Sequence, residues 1–344
     1  MKDQPLRLLQ IGAGSMGSRR LRDLSTRRDV MLALFDERQD RRAEAAAKTP
    51  NLTVFQDLGS ALHWKPDALS ISTPPQHHDE YVRLALDRGL HHFCEANIWT
   101  VDAVEVEEIS QKKRLISAPS CSVHFLPIVQ ELSRIVREEL GKVYAYQFTL
   151  NTYMPDWHPS EGLEYYARNR NTSAGREMVP FELLWLNEVF GVASQVSGMV
   201  IQRGALPGIS EDTWALQMGL ASGACGHLLV MMACPSVLRQ GWCFGERGQV
   251  FFDLLSGEIR RDYRQGLADT RALGAMKDVL ESAYRLEIFA FIDAILGEGE
   301  WPQSYRSTAV ATATLAAAEA SAVSNQRGAV AAHAQPQWYE NTIR

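Results

Sequence analysis

Apolar and polar positions alternate along the first third of the chain in blocks of two kinds. Short, nearly continuous apolar runs ("LRLLQIG" from Leu6, "VMLALFD" from Val30, "DALSIST" from Asp67, "LHHFCEA" from Leu90, "LISAPSC" from Leu115) predict buried strands. Between them lie segments with apolar residues at three- and four-residue spacing, or with strong helix formers. Among these are "SRRLRDLSTRRD", "RRAEAAAK", "HDEYVRLALDRG" and "VDAVEVEEISQKKR", which predict helices. Strand and helix in strict alternation build a parallel sheet covered on both faces.

From about residue 122 the pattern changes. A helix, "PIVQELSRIVREEL", stops at Gly141 and a long strand, "VYAYQFTLNTY", follows. After a polar, aromatic loop and a helix around Phe181 to Phe190, several strands succeed one another without helices: "SQVSGMVIQRG", "DTWALQMGLASG", "GHLLVMMAC", "GWCFGERGQVFFDL" and "GEIRRDYR". Consecutive strands joined by glycine-containing turns predict a mainly antiparallel sheet. Two helices close the pattern, "RLEIFAFIDAILG" and the alanine-rich "STAVATATLAAAEASAVSN", whose small residues suit close packing. The expected class is α/β, with a first domain over residues 1–121, an α+β domain over 122–328 and a tail over 329–344.

The remaining bulk properties narrow the picture. The 344 residues suffice for about two domains. A net charge of -6 gives no electrostatic reason to expect nucleic acid or an anionic membrane as partner. No apolar run approaches the ~20 residues of a membrane span, and the first residues lack the architecture of a signal peptide. Five scattered cysteines without paired spacing read as reduced thiols, with neither a disulfide framework nor a metal site, so a cytoplasmic protein is expected.

The first chemistry-bearing motif is "GAGSMG", with Gly12, Gly14 and Gly17 between a strand and a helix. The first glycine permits a tight turn, the second lets backbone approach a pyrophosphate and the third lets helix and strand pack closely. Amides of Ser15 and Met16 at the helix start would hold the phosphates. Asp36 ends the second strand about twenty residues further on, where an acid binds the adenosine ribose. A carboxylate there favours NAD. Arg38, Arg41 and Arg42 follow closely and could accommodate the extra phosphate of NADP, unless they form a solvated helix face.

With "STPPQHHDEY" after the third of these strands and "FCEAN" after the next, the chain resembles the Gfo/Idh/MocA family of NAD(P)-dependent oxidoreductases from Arg7 to about Gly328. The resemblance implies a Rossmann domain followed by an α/β domain with an open antiparallel sheet. It places Thr73 and Pro74 beside the nicotinamide ribose, His78 in the helix start that follows, and Glu95 near the nicotinamide. Glu95 matches the Glu of a Glu-Lys-Pro motif, but Ala96 stands at the lysine and Asn97 at the proline. An Asp and a His four residues apart, typical of the family's second domain, correspond within one residue to Glu177 and Phe181. Alanine and phenylalanine cannot take a proton from a substrate hydroxyl, so the carrier must stand elsewhere or be absent.

The segment from Tyr153 to Gly191 is dense in ionisable and aromatic groups, and the resemblance turns it toward the nicotinamide. His158 is the candidate general acid/base, because its ordinary pKa near 6.5 suits proton transfer near neutrality. Glu177 and Glu182 are the candidate acids, and Asp156 or Glu177 could orient His158. Asp156, Trp157, Tyr165, Arg176 and, after the last strand of the first domain, His124 are candidate substrate-binding residues. The bland alternatives are a rigid "PDWHP" turn and salt-bridged structural acids. Trp214, Met218, Met231, Met232 and Trp242 read as a sheet face, which in the resembled fold often packs on a second subunit. A homodimer or homotetramer is expected.

These residues lead to an NAD-dependent oxidoreductase acting on a hydroxyl of a sugar, cyclitol or related polyol through a non-standard proton relay. A non-redox enzyme that uses NAD internally (a lyase, epimerase or glycosidase) and a nucleotide-binding pseudoenzyme are the alternatives.

Overall fold

The computed structural model describes residues 4–96, 102–157, 174–202, 206, 209, 211–266, 268–324 and 328–329. Two compact units divide the chain: Met1–Ser122 with Ser282–Tyr305, and Val123–Glu281 with Arg306–Arg344.

The first unit holds strands β1 (Leu6–Ile11), β2 (Val30–Phe35), β3 (Thr53–Phe55), β4 (Ala68–Ile71), β5 (His91–Cys94) and β6 (Ser117–Pro119). Helices α1 (Ser15–Leu24), α2 (Gln39–Lys48), α3 (Leu58–His63), α4 (His78–Arg88) and α5 (Ala103–Lys113) alternate with them. The sheet order is β3-β2-β1-β4-β5-β6, and every pairing is parallel. Strand order reverses between β1 and β4, which opens the crevice where doubly wound sheets bind ligands at the strands' C-terminal ends. Ala68–Ile71 is buried throughout because both sheet faces are covered, which is why this strand reads as an unbroken apolar run.

A returning segment completes this unit. Ile288, Phe291 and Ile292 of helix α8 (Met276–Leu296) join Leu8, Leu34, Phe93 and Ala118 of the strands and Leu21 and Leu24 of α1 in one core. The sequence pattern assigns that helix to the second domain; the contacts place its part from Ser282 onward in the first. An apolar helical stripe states that it must be buried, not which core buries it.

The second unit contains α6 (Pro127–Glu138), α7 (Ala174–Phe190), most of α9 (Tyr305–Ser324) and the start of α8. Its strands are β7 (Val143–Tyr153), β8 (Ala193–Ile201), β9 (Thr213–Leu220), β10 (Cys225–Met231), β11 (Ala233–Gly245), β12 (Gly248–Asp253), β13 (Glu258–Tyr263), β14 (Ala268–Ala272) and β15 (Gly328–Ala329). They form one sheet in the order β14-β13-β12-β11-β7-β10-β9-β8-β15. Its pairings are antiparallel except that of β7 with β10.

One face of this sheet carries an aromatic core: Phe148, Trp185, Phe252, Phe190 and Tyr146, with Tyr146 stacked on Phe190 at 4.5 Å. The alanine-rich α9 lies flat against β8, where a Cβ on Gly198 would stand 2.2 Å from the Ala318 carbonyl oxygen. The five Met and Trp residues expected on one sheet face are divided. Trp214 and Met218, an even number of residues apart, point into the core, as does Met232 just past β10. Met231 and Trp242 are only partly buried. Trp242 stands on the opposite face, in a cross-strand row with Gln217, His227, Gln147, Phe251 and Arg260.

Candidate functional site

The turn after β1 is shaped by its glycines. Gly12 takes φ +85°, and a Cβ there would lie 2.6 Å from the Ser72 carbonyl oxygen. At Gly17 a Cβ would stand 2.0 Å from the Gly12 oxygen, so α1 can sit this close to β1 only with glycine. Gly14 differs: its nearest neighbour would be the Arg41 guanidinium at 3.6 Å, leaving open space above the loop. No side chain caps α1 and no acid occupies its first turn. The amide end of the helix, with Ser15 and Met16, is therefore available to an anion.

Asp36 ends β2 almost fully buried. Its carboxylate accepts from the Ala13 amide at 2.7 Å and from the Arg38 amide at 2.8 Å, which ties the glycine turn to the second strand. Arg38 is paired with Asp40 at the surface, and Arg42 donates to the Asp36 and Glu37 carbonyls.

On the other side of the strand reversal, Thr73 and Pro74 follow β4. The Thr73 hydroxyl oxygen is buried and finds no partner among the described residues. His78, expected at the cofactor, is buried. Burial lowers its pKa to about 4, so the ring is neutral and Nε2 donates to the Thr73 carbonyl at 2.8 Å. This bond ties the start of α4 to the turn after β4. Open space at Gly14, an uncapped helix start, a fixed acid at the second strand and an orphaned hydroxyl across the reversal together fit a dinucleotide.

Glu95 stands just beyond β5, 13% exposed, with Arg20 Nε at 2.8 Å and Ser72 Oγ at 3.3 Å from one carboxylate oxygen. Arg20 is fully buried on α1. It also donates to the Tyr284 carbonyl at 2.7 Å and to Glu287 at 2.6 Å, and its guanidinium lies over the Phe93 ring. The other oxygen of Glu287 accepts from Ser120 Oγ at 2.9 Å and from the Cys121 amide at 2.6 Å. Burial alone would lower the Arg20 pKa, but the two carboxylates outweigh it and hold the guanidinium above its ordinary value. Burial pushes the Glu287 carboxyl up, against the pull of Arg20. Sequence reasoning missed Arg20 and Glu287. The available signal was a lone acid beside Ile288 on the buried stripe of an apolar helix.

In the second unit, His158 and Tyr165 lie outside the described residues, as does Asn97 in the first. Asp156 is exposed at the end of a short 3-10 turn, and the Trp157 indole donates to Thr152 Oγ1 at 2.7 Å. Arg176 is held by Glu319 of α9 through two contacts of 2.9 Å. Glu177, one residue on, is partly exposed. Glu182 is wholly buried; it accepts from the Trp185 indole at 2.6 Å and lies 2.7 Å from Arg239 Nη2, off-axis for a hydrogen bond. That carboxylate is committed to packing α7 against β11. His124 pairs through Nδ1 with both oxygens of Glu188, at 2.9 and 3.0 Å.

Comparison with known proteins places this geometry. Residues 6–124 match the model of an oxidoreductase family with an NAD-binding Rossmann fold, Gfo/Idh/MocA. A D-glucoside 3-dehydrogenase of Escherichia coli (strain K12) is 34% identical over 150 residues, which are 42% of this chain and 43% of that protein's length. Levoglucosan dehydrogenase, solved with NADH and levoglucosan, superposes with a TM-score of 0.83 at 15% identity, covering 95% of this chain and 100% of its own. GenD2 from gentamicin A biosynthesis, solved with NAD, superposes with a TM-score of 0.77 at 19% identity, covering 96% and 98%.

Proposed function

We propose, from the match of residues 6–124 to the Gfo/Idh/MocA oxidoreductase family with its NAD-binding Rossmann fold, that the whole chain is an NAD-dependent dehydrogenase of a sugar, cyclitol or related polyol. The observation that carries the reading is the pairing of a glycine cradle with a buried Asp36. Its carboxylate, fixed by two backbone amides, suits ribose hydroxyls and repels a 2′-phosphate. The substrate class rests on the similarity to D-glucoside 3-dehydrogenase and on the fold shared with levoglucosan dehydrogenase.

When bound, NAD supplies the hydride acceptor. The protein must then remove the hydroxyl proton, and neither Ala96 nor Phe181 can. In this reading His158 takes that proton and Glu177, partly exposed at the start of α7, orients it or shares it. Arg176 is held by Glu319 and Glu182 by Arg239, so neither is assigned to the relay. His78 acts by fixing the Thr73 turn. A homo-oligomer formed through the exposed sheet face around Trp242 completes the reading.

The test is to titrate the purified chain with NAD+ and NADH and then assay it against glucosides, anhydrosugars and inositols. NADH formation with one of these, abolished in His158→Ala and reduced at least a hundredfold in Glu177→Gln, is the expected result. Full turnover in both variants overturns the relay, and binding of neither dinucleotide overturns the function. The missing lysine and histidine favour one second reading, internal use of NAD in elimination or epimerisation. Turnover without net NADH would select it.

A further inference from the structure

We propose that Arg20, Glu95 and Glu287 hold an unbalanced negative charge at the nicotinamide end of the cofactor site, so that the first unit binds oxidised dinucleotide in preference to reduced. The inference rests on the dinucleotide reading above. With Asp36 at the end of β2 and the phosphate cradle between β1 and α1, the adenosine half lies on the β2 side of the strand reversal. The nicotinamide half must then cross to the C-terminal ends of β4 and β5, where Thr73 and Glu95 stand. Its ring is cationic in NAD+ and neutral in NADH, so a fixed charge there discriminates between the two.

The cluster has one cation and two carboxylates. Glu287 accepts on both oxygens, from the Arg20 guanidinium on one and the Cys121 amide on the other, and these contacts favour its ionised form against the burial that pushes it up. Arg20 and Glu287 are fully sealed from water; Glu95 alone reaches the surface. Among the described residues, His78 and Arg19 also stand at this edge. His78 is neutral, and Arg19 lies partly exposed over the Tyr284 ring, outside the sealed cluster. A lysine at position 96 would have balanced the cluster, and Ala96 leaves it negative.

A unit charge at the distances of a binding pocket is worth roughly tenfold in an equilibrium. A tenfold preference for the oxidised form lowers the potential of a bound two-electron couple by about 30 mV. The bound cofactor would then give up hydride more readily than the free one.

Calorimetric titration of the full-length protein with NAD+ and with NADH tests this, because the readout is the ratio of two dissociation constants and not turnover. Glu287→Gln keeps a hydrogen-bonding side chain of the same size and removes one charge; it should weaken NAD+ about tenfold relative to NADH. Ala96→Lys adds a cation without touching the buried cluster and should shift the ratio the same way, which keeps the test decisive if the first variant fails to fold. If both constants move together, or the ratio is unchanged in folded variants, the cluster is only structural and the proposal falls. Binding of neither dinucleotide by the unaltered chain overturns the functional reading as well.

Discussion

Gly17 and Gly14 stand three residues apart and should fail in different ways. A methyl group on Gly17 meets the backbone oxygen of Gly12, which cannot move without breaking the turn. Gly17→Ala should therefore cost about 2–4 kcal/mol in chemical denaturation. Gly14→Ala meets nothing closer than 3.6 Å and should fold normally, yet lose most of its dinucleotide affinity in a titration, because the methyl group enters the space for phosphate. Both glycines were legible in the sequence, since their spacing is local. Arg20 was not: its partners Glu95 and Glu287 are 75 and 267 residues away, and no local pattern distinguishes a buried arginine on α1 from the solvated ones around it. Two buried histidines add a pH dependence. Burial holds His78 and His92 near pKa 4, below the ordinary 6.5, and His92 also contacts Ser117 Oγ at 2.7 Å. The folded state thus resists protonation that the unfolded chain accepts. Their contribution is whole above about pH 6.5 and is lost as pH falls toward 4, by up to about 3 kcal/mol each. Urea midpoints measured from pH 7.5 to 4.5 should decline, and His78→Phe should flatten part of that decline.

Among elements, α7 shows how a helix can be predicted while its chemistry is misassigned. Its apolar spacing announces burial, but Glu182 reads as a catalytic acid until Trp185 and Arg239 are seen to occupy it. Glu182→Gln would leave the Arg239 guanidinium without its counter-charge. A loss of about 3 kcal/mol in stability is expected, and any fall in activity should track the fraction unfolded. A second network fastens α6 to β13 and β14, in which Arg261 joins Glu139 and Asp269 while Arg134 and Arg271 share Glu131. Arg134 holds Glu131 below the ordinary carboxylate range, and Arg261 does the same for Asp269; at Glu139 burial works the other way, but Arg134 and Arg261 outweigh it. These pairings therefore stabilise above the unfolded carboxylate pKa values and fail as pH drops through the folded ones. The strands themselves were legible from alternation, but their order was not. Nothing local indicates that β10 lies parallel to β7, a pairing between residues about eighty apart.

For the molecule as a whole, the exposed sheet face carries the expectation of self-association. Met199 is 59% exposed there, and Trp242, Phe251 and Arg260 form a cross-strand ladder, with the two rings tilted at 5.1 Å and the guanidinium 4.4 Å from the Phe251 centroid. Trp242→Arg should shift the sedimentation profile toward monomer while leaving the thermal midpoint nearly unchanged. No helix among the described residues is long and apolar enough to cross a membrane. The return of Ser282–Tyr305 to the first unit has a consequence in time. A ribosome finishes Ser122 about 160 residues before it reaches Ser282. At ~5–20 residues per second the nascent parallel sheet waits roughly ten to thirty seconds for Phe291 and Glu287. During that interval Arg20 has one carboxylate partner instead of two and the core around Phe93 stays open. The first unit cannot close until most of the second has left the ribosome.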